Sequence, residues 1–421
     1  MGSSLKCSYS THHITRRSYK GNVFIATRVF LTNMHCLRPT ILLLIGVSPL
    51  FSVPKYTIEA KRLPDHTLLI PVRINDSGPF QCQFDSGGST TLVLDSEVAA
   101  RAGLRPTGAG RSAGAGPAVV ADQRLSGAIL AVGGLRISDP TITIFPLGTG
   151  VPFDCIFGAG ILNSFVVQVD YAVPAIRLYE TANYVPGTGA VSVPITLEYG
   201  NPVVSARLVL QPGQTVDAKL LVDTAVGQWP VALNKKFSDA QSILTRVRKT
   251  VEPPFQAQAT GGAIGLLAAR ADAISVGQFT VPSPVTMLFR NESGVNLPWD
   301  GNLGSEFFRR FLLTIDYPNR RLFLEPNDSF REPPAPYDGS GLWVRGSPGK
   351  FTIARVLPDS PAAIAGLESG DALVSMDGVA ASDLTSFQIK ERLYRASGRC
   401  TFRVRRGARE LSLTLDLKAY L

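Results

Sequence analysis

The stretch FQCQFDSGGSTTLVL, residues 80–94, sets two apolar, strand-like runs on either side of Asp85-Ser86-Gly87. Taken alone this is a turn between strands, because Asp, Ser and Gly are all favoured where a chain reverses. It carries chemistry only if a second carboxylate is brought to face it. The chain offers one: AKLLVDTAVGQWPVAL, residues 218–233, repeats the pattern 138 positions later and sets Asp223 opposite Asp85 and Thr224 opposite Ser86.

Two further segments repeat in the same order. AVGGLRISDPTITIF (131–145) aligns with SVGQFTVPSPVTMLF (275–289) at an offset of 144, and PFDCIFGAGILNSFVVQVDY (152–171) aligns with PWDGNLGSEFFRRFLLTIDY (298–317) at 146. Three matches in one order describe a duplicated β-rich unit, residues 55–184 and 185–330. Each copy has an apolar strand ending in Asp-Ser/Thr and a Gly-rich segment. These are GAGRSAGAG (108–116, with Gly108, Gly110, Gly114 and Gly116) and QATGGAIG (258–265, with Gly261 and Gly262). Each copy then has an apolar-apolar-Gly element, IFG (156–158) or NLG (302–304), and a strand closing on Asp-Tyr. A pseudo-twofold axis between the copies brings the two Asp residues together at its centre.

Composition agrees with a turn-rich β protein. Of 421 residues 45% are hydrophobic, with 39 Gly and 30 Pro punctuating short apolar runs. The net charge of +9 is concentrated in residues 1–54, which carry +6 and no acid, so the rest is nearly balanced and has no dense basic run for a nucleic acid. Of four His only His66 lies beyond the leader, and it reads as a surface or edge residue. This scarcity argues against a Ser-His-Asp or Cys-His site and against a His-rich zinc site. Cys82, Cys155 and Cys400 are far apart in sequence and read as small buried apolar residues rather than a disulfide framework.

Residues 1–54 form a basic leader whose block ILLLIGVSPLF (41–51) is short for a membrane span. Its basic approach, apolar core and following small residues describe a secretory signal, with Met34 a plausible true start and an uncleaved anchor or a basic tail as alternatives. Export would place the protein in a bacterial periplasm or at a membrane surface. Residues 331–338, in a Pro- and Asp-rich stretch, read as a linker. Beyond it, Ser360-Pro361-Ala362 opens a helix that stops at Gly366, a second helical pattern covers 384–396, and a hairpin turns at Gly407.

Over residues 55–330 the sequence resembles an aspartic protease of the retropepsin-like and pepsin-like kind, with both lobes in one chain. The expected fold is mainly β: two pseudo-symmetric aspartic-protease β-barrel lobes plus a third domain. The resemblance implies catalysis by Asp85 and Asp223, supported by Ser86, Gly87, Thr224 and Ala225, under flaps formed by the Gly-rich stretches. It implies no cofactor and no metal, and a peptide or unfolded protein as substrate. Two departures stand out: Ala225 replaces a glycine, and NLG is less apolar than IFG, which marks lobe 2 as the degenerate copy. Residues 339–421 resemble a PDZ domain, a β-sandwich with two helices. By that resemblance Gly339, Ser340, Gly341 and Leu342 hold a peptide carboxylate, or the domain only packs on the lobes. The sequence thus supports an exported aspartic endopeptidase, with a peptide-binding pseudoprotease and an envelope scaffold as alternatives.

Overall fold

The computed structural model describes residues 52–421 except 148–150, 254–255, 334–336, 396 and 419–420. The leader with its apolar block lies outside the described residues. Among those residues no helix is long and apolar enough to cross a membrane.

The two copies fold by the same rule. In the first, Leu68–Ile74 pairs antiparallel with Ser77–Phe84, burying alternate side chains while Pro71 and Arg73 face solvent, the period-two pattern of a half-buried strand. Leu92–Leu94 lies between Ile142–Ile144, parallel, and Cys155–Phe157, antiparallel, and Cys155–Phe157 runs parallel to Ser77–Phe84. In the second, Asn201–Gln211 pairs with Gln214–Val222, Val231–Leu233 lies between Val285–Phe289 and Gly301–Leu303, and Gly301–Leu303 runs parallel to Gln214–Val222. The repeated Pro-x-Asp is explained here. Asp154 accepts the Gln81 amide at 2.9 Å, and Asp300 accepts the Lys219 amide at 2.7 Å. Each carboxylate therefore ties a short central strand to the strand that leads to the site.

A shared antiparallel sheet joins the copies: Tyr56–Glu59, Ala175–Tyr179, Val166–Asp170, Phe311–Asp316, Arg321–Pro326 and Val191–Glu198 in that order. Within it Gln168 pairs with Thr314, its own counterpart at an offset of 146, so the pseudo-twofold axis passes between them. One hydrophobic core runs through both lobes, from Ile70 and Phe84 to Leu220 and Phe307, each 0% exposed. Burying each such side chain contributes roughly 1.5–3 kcal/mol.

Two readings of the sequence change here. Cys82 and Cys155 form a disulfide across 73 residues. They are register partners on adjacent parallel strands, a juxtaposition that sequence spacing does not reveal. In lobe 2 the same paired positions hold Leu220 and Gly301. His66 is not a bland edge residue: its Nε2 lies 2.9 Å from Glu306, whose side chain is 3% exposed and also meets Arg309 and Arg310, so a lobe 1 loop is tied to lobe 2. The described residues of the 331–338 stretch also make contacts. The buried Arg310 guanidinium donates to the carbonyls of Ser329, Phe330, Glu332 and Pro333, and Tyr337 and Asp338 are buried.

The C-terminal unit is a six-stranded sheet with two helices. Pro361–Ile364 starts after Ser360, whose side chain accepts the Ala363 amide. Ser386–Leu393 starts at a Thr385/Gln388 capping box. The unit is fixed to lobe 2: Tyr337 and Leu357 pack with Ile264, Leu266 and Met287, and Arg270 Nε donates to the Leu421 carbonyl oxygen at 3.0 Å.

Candidate active site

The strand Ser77–Phe84 delivers Asp85, and Gln214–Val222 delivers Asp223, to one place between the lobes. Each is pinned at its own amide: Asp85 N–H donates to Phe157 O at 2.9 Å and Asp223 N–H to Leu303 O at 3.0 Å. IFG and NLG thus brace the two Asp loops at matched positions.

Ser86 and Thr224 lock the loops to each other. Ser86 N–H donates to Thr224 Oγ1 at 3.0 Å, and Thr224 N–H donates to Ser86 Oγ at 3.1 Å. The hydroxyls then donate across the axis, Ser86 Oγ to Val222 O at 2.6 Å and Thr224 Oγ1 to Phe84 O at 3.0 Å. All four bonds are buried, so each fixes geometry that water cannot compete for, and losing one side would strand its partner at a cost of about 1–3 kcal/mol. This goes beyond the ordinary turn capping that Ser and Thr offer alone.

Gly87 and Ala225 occupy matched places with different latitude. Gly87 N–H donates to Asp85 Oδ1 at 2.8 Å, and a Cβ on Gly87 would stand 3.0 Å from Asp223 Cγ and from a Leu221 methyl. Ala225 N–H donates to Asp223 Oδ1 at 2.9 Å, with Val226 N–H at 3.2 Å. The Ala225 amide thus still reaches its carboxylate, and the two carboxyls lie close enough for the charge of Asp223 to act on Asp85.

Burial pushes both carboxyls above the ordinary Asp range, and Asp85 is raised further by the negative charge of Asp223. On Asp223 the same burial is opposed first by Asn302 and then by the Ala225 and Val226 amides. Asn302 Nδ2 donates to Asp223 Oδ2 at 2.5 Å. Sequence reasoning passed over Asn302, taking NLG as a worn copy of IFG; the signal was there as a polar residue in an otherwise apolar position.

The Gly-rich stretches form two hairpins over the site. In the first, Gly108–Ser112 pairs with Val120–Leu125, so Gly108 and Gly110 lie in the stem and Gly114 and Gly116 at the tip. In the second, Ala257–Ala259 pairs with Gly262–Ile264 around a turn in which Gly261 and Gly262 have φ of +99° and +110°. The tips bond each other: Gly116 N–H to Thr260 O and Ala118 N–H to Gly261 O, both at 3.0 Å. A Cβ on Gly116 would lie 2.4 Å from the Gly261 carbonyl carbon; the absence of a side chain allows the approach. Beneath them is a cleft of about 990 Å³ with Asp85 and Asp223 on its floor and Trp229, Trp299, Phe145 and Phe289 among its walls. Lys390, from the helix Ser386–Leu393, also lines it, near Asp65. Among the described residues no cluster of three or more His, Cys, Asp or Glu is gathered as a metal site.

Residues 339–342 are buried, and their amides are taken up within the chain. Gly339 N–H donates to Leu393 O at 3.0 Å. Ser340 and Gly341 N–H donate to Asp338 Oδ1 at 2.9 and 3.1 Å, and Leu342 N–H to Ser340 Oγ at 3.0 Å. The Asp338 carboxylate stands where the sequence reading expected a peptide carboxylate.

Residues 70–161 match the aspartyl protease family model. Residues 335–417 match that of the PDZ domain. The chain carries an aspartyl-protease-like domain and a C-terminal PDZ domain. An aspartic proteinase from Irpex lacteus is a structural neighbour, with a TM-score of 0.42 and 12% identity over 66% of this chain and 98% of that one. No curated protein matches the chain by sequence. The aspartyl protease match covers the Asp85 half; Asp223 enters through the internal repeat and the matched strand connectivity of its own half.

Proposed function

We propose that the protein is an aspartic endopeptidase in which Asp85 and Asp223 act as one pair. The observation that carries the reading is the reciprocal Ser86/Thr224 lock, which holds two carboxyls, Asp223 buried and Asp85 partly buried, side by side on the floor of a roofed cleft. Two such groups share a proton, because ionising both against each other in a low-dielectric site is costly. The ionised member takes a proton from a water, whose oxygen bonds to the scissile carbonyl carbon. The protonated member gives its proton to the carbonyl oxygen. On collapse of that intermediate the carboxyl that took the water's proton gives it to the nitrogen as the C–N bond breaks, the other carboxyl recovers a proton from a hydroxyl of the intermediate, and a carboxyl and an amine result.

The cleft suits an extended chain, with strand-edge hairpins above and aromatic walls beside it. A pseudoprotease is the weaker reading, since Ala225 still donates its amide to Asp223 and leaves the carboxyls side by side. Export is part of the proposal. It is supported by the disulfide Cys82–Cys155, since such bonds persist in oxidising compartments, and by the leader sequence. The PDZ domain acts on this reading as a wall of the cleft through Lys390.

The test is incubation of the full chain with an unfolded protein, with the products mapped by mass spectrometry beside Asp85→Asn. Internal cuts that vanish in the variant support the reading; cuts that persist unchanged, or none from a folded protein, refute it.

A further inference from the structure

The two halves of the site are not electrically equivalent. Each Asp receives two amides from its own loop: Gly87 and Gly88 at Asp85, Ala225 and Val226 at Asp223. Among the described residues only Asp223 receives a side-chain amide as well, from Asn302 to Oδ2 at 2.5 Å. Asn302 is 7% exposed and sits in register opposite Leu221 on the strand beside the one that leads to Asp223. The equivalent position beside Asp85 is Ile156, opposite Gln83, and a hydrocarbon gives that carboxyl nothing. We infer that Asn302 is a positioning residue that assigns the roles within the pair, holding Asp223 as the carboxylate that takes the water's proton and leaving Asp85 as the acid that protonates the carbonyl oxygen.

The inference rests on the protease reading and deepens it. A primary amide nitrogen can only donate, and a donor favours the ionised form of the carboxyl it faces. Burial of the pair makes that donor count for more than it would in water. The other groups do not mimic the bias. The titratable side chains nearest the pair are tyrosines: Tyr171 on the Asp223 side, whose hydroxyl is engaged with Ser305 Oγ at 3.1 Å, and Tyr317 on the Asp85 side, whose buried hydroxyl makes no hydrogen bond to either carboxyl. The remaining charged residues lining the cleft are Asp65 and Lys390, which are opposite in sign and face each other across its PDZ end. The polar residue in NLG, which looks like decay beside IFG, is then the device that breaks the symmetry of a duplicated site.

The experiment compares the full-length wild type, Asn302→Ile, which installs the lobe 1 residue, and Ile156→Asn, which gives Asp85 the donor it lacks. Two quantities are read: the pH dependence of kcat/KM on an unfolded protein substrate, and the titration of the Asp carboxyl carbons by carbon-13 NMR. For Asn302→Ile the acid limb, where the pair first loses a proton, is expected to move up by roughly one pH unit, with about a tenfold loss of kcat/KM below it. For Ile156→Asn the alkaline limb is expected to move down, because the second ionisation becomes easier. A purely structural role would lower kcat/KM at every pH and leave both limbs in place, and profiles that superimpose after scaling overturn the inference. Should Asn302→Ile fail to fold, Asn302→Ala, which only removes atoms, takes its place. If no protein turns over at any pH, the protease reading fails and the catalytic roles fail with it; if the wild type turns over, a first NMR titration step that does not move in Asn302→Ile overturns this inference alone.

Discussion

Lobe 1 and lobe 2 run the same strand connectivity to the same destination, yet they stabilise it by different means. Lobe 1 crosslinks the strand before Asp85 to its bracing strand with Cys82–Cys155, where lobe 2 packs Leu220 against Gly301. Lobe 1 has a glycine after its Asp-Ser, where a Cβ would stand 3.0 Å from Asp223 Cγ, while lobe 2 carries Ala225. Lobe 1 leaves its carboxyl beside Ile156, and lobe 2 gives its own an amide from Asn302. The features common to both halves define the pair; those that differ tune it.

The largest expected effect falls on the shared features. Asp85→Asn and Asp223→Asn are each expected to lower turnover at least ~10³-fold, since each removes one of two proton-transferring groups. Stability should respond in the opposite direction. Both carboxyls are raised above their unfolded range, so what they contribute is intact below about pH 4, the ordinary Asp value, and is lost as pH rises through the folded values. Asp85→Asn removes that loss. It should therefore melt higher than wild type near neutral pH, by ~1 kcal/mol or more, and about equally at pH 4. Thermal denaturation at the two pH values checks it, and an Asn variant less stable at both would show that the pair is not under electrostatic strain.

Next comes the disulfide, which lobe 2 does without. Replacing Cys82 and Cys155 together by Ala is expected to destabilise the protein by about 2–4 kcal/mol, measured by urea denaturation. The unfolding of wild type under reducing conditions should follow the double variant. A loss confined to a few tenths would mean that lobe 1 is held as lobe 2 is, by packing alone.

His66→Ala is expected to cost roughly 1–3 kcal/mol by leaving the buried Glu306 short of a partner. Arg309 and Arg310 keep that carboxylate paired, so the effect should be on stability and little on kcat. The smallest effect is expected for Ala225→Gly, which equalises the two loops: less than about threefold in kcat/KM, and at most ~1 kcal/mol lost to the added freedom of the unfolded chain. A large gain in rate would show that the methyl does hold the loops apart.

How much of this was legible in the sequence follows from the range of each interaction. The duplication could be read because three segments keep their order and spacing, and it brought Asp85, Asp223, Ser86 and Thr224 together before any coordinates. The PDZ helices could be read from Ser360-Pro361, Gly366 and the helical pattern over 384–396, which are local signals. The Cys82–Cys155 bond could not, because the two residues meet only through the register of parallel strands 73 positions apart. His66–Glu306 and the lining of the cleft by Lys390 depend on how separate units pack, which no local period encodes. At residues 339–342 the sequence does not show that the Asp338 side chain takes up the Ser340 and Gly341 amides. Asn302 was in plain view: the repeat that exposed the pair also showed the position, and comparing IFG with NLG as chemistry rather than as similarity would have found it.

The measurement that tests the account most directly is the pH dependence of substrate cleavage by the wild-type chain from about pH 3 to 10, a span that runs past Asp85, which burial and the charge of Asp223 push up to about 8, with Asp223→Asn alongside. The account predicts a bell: a rise as the pair loses its first proton, a fall as it loses the second, and no turnover in the variant. A rate that keeps rising past neutral pH, or one that survives in Asp223→Asn, would contradict it.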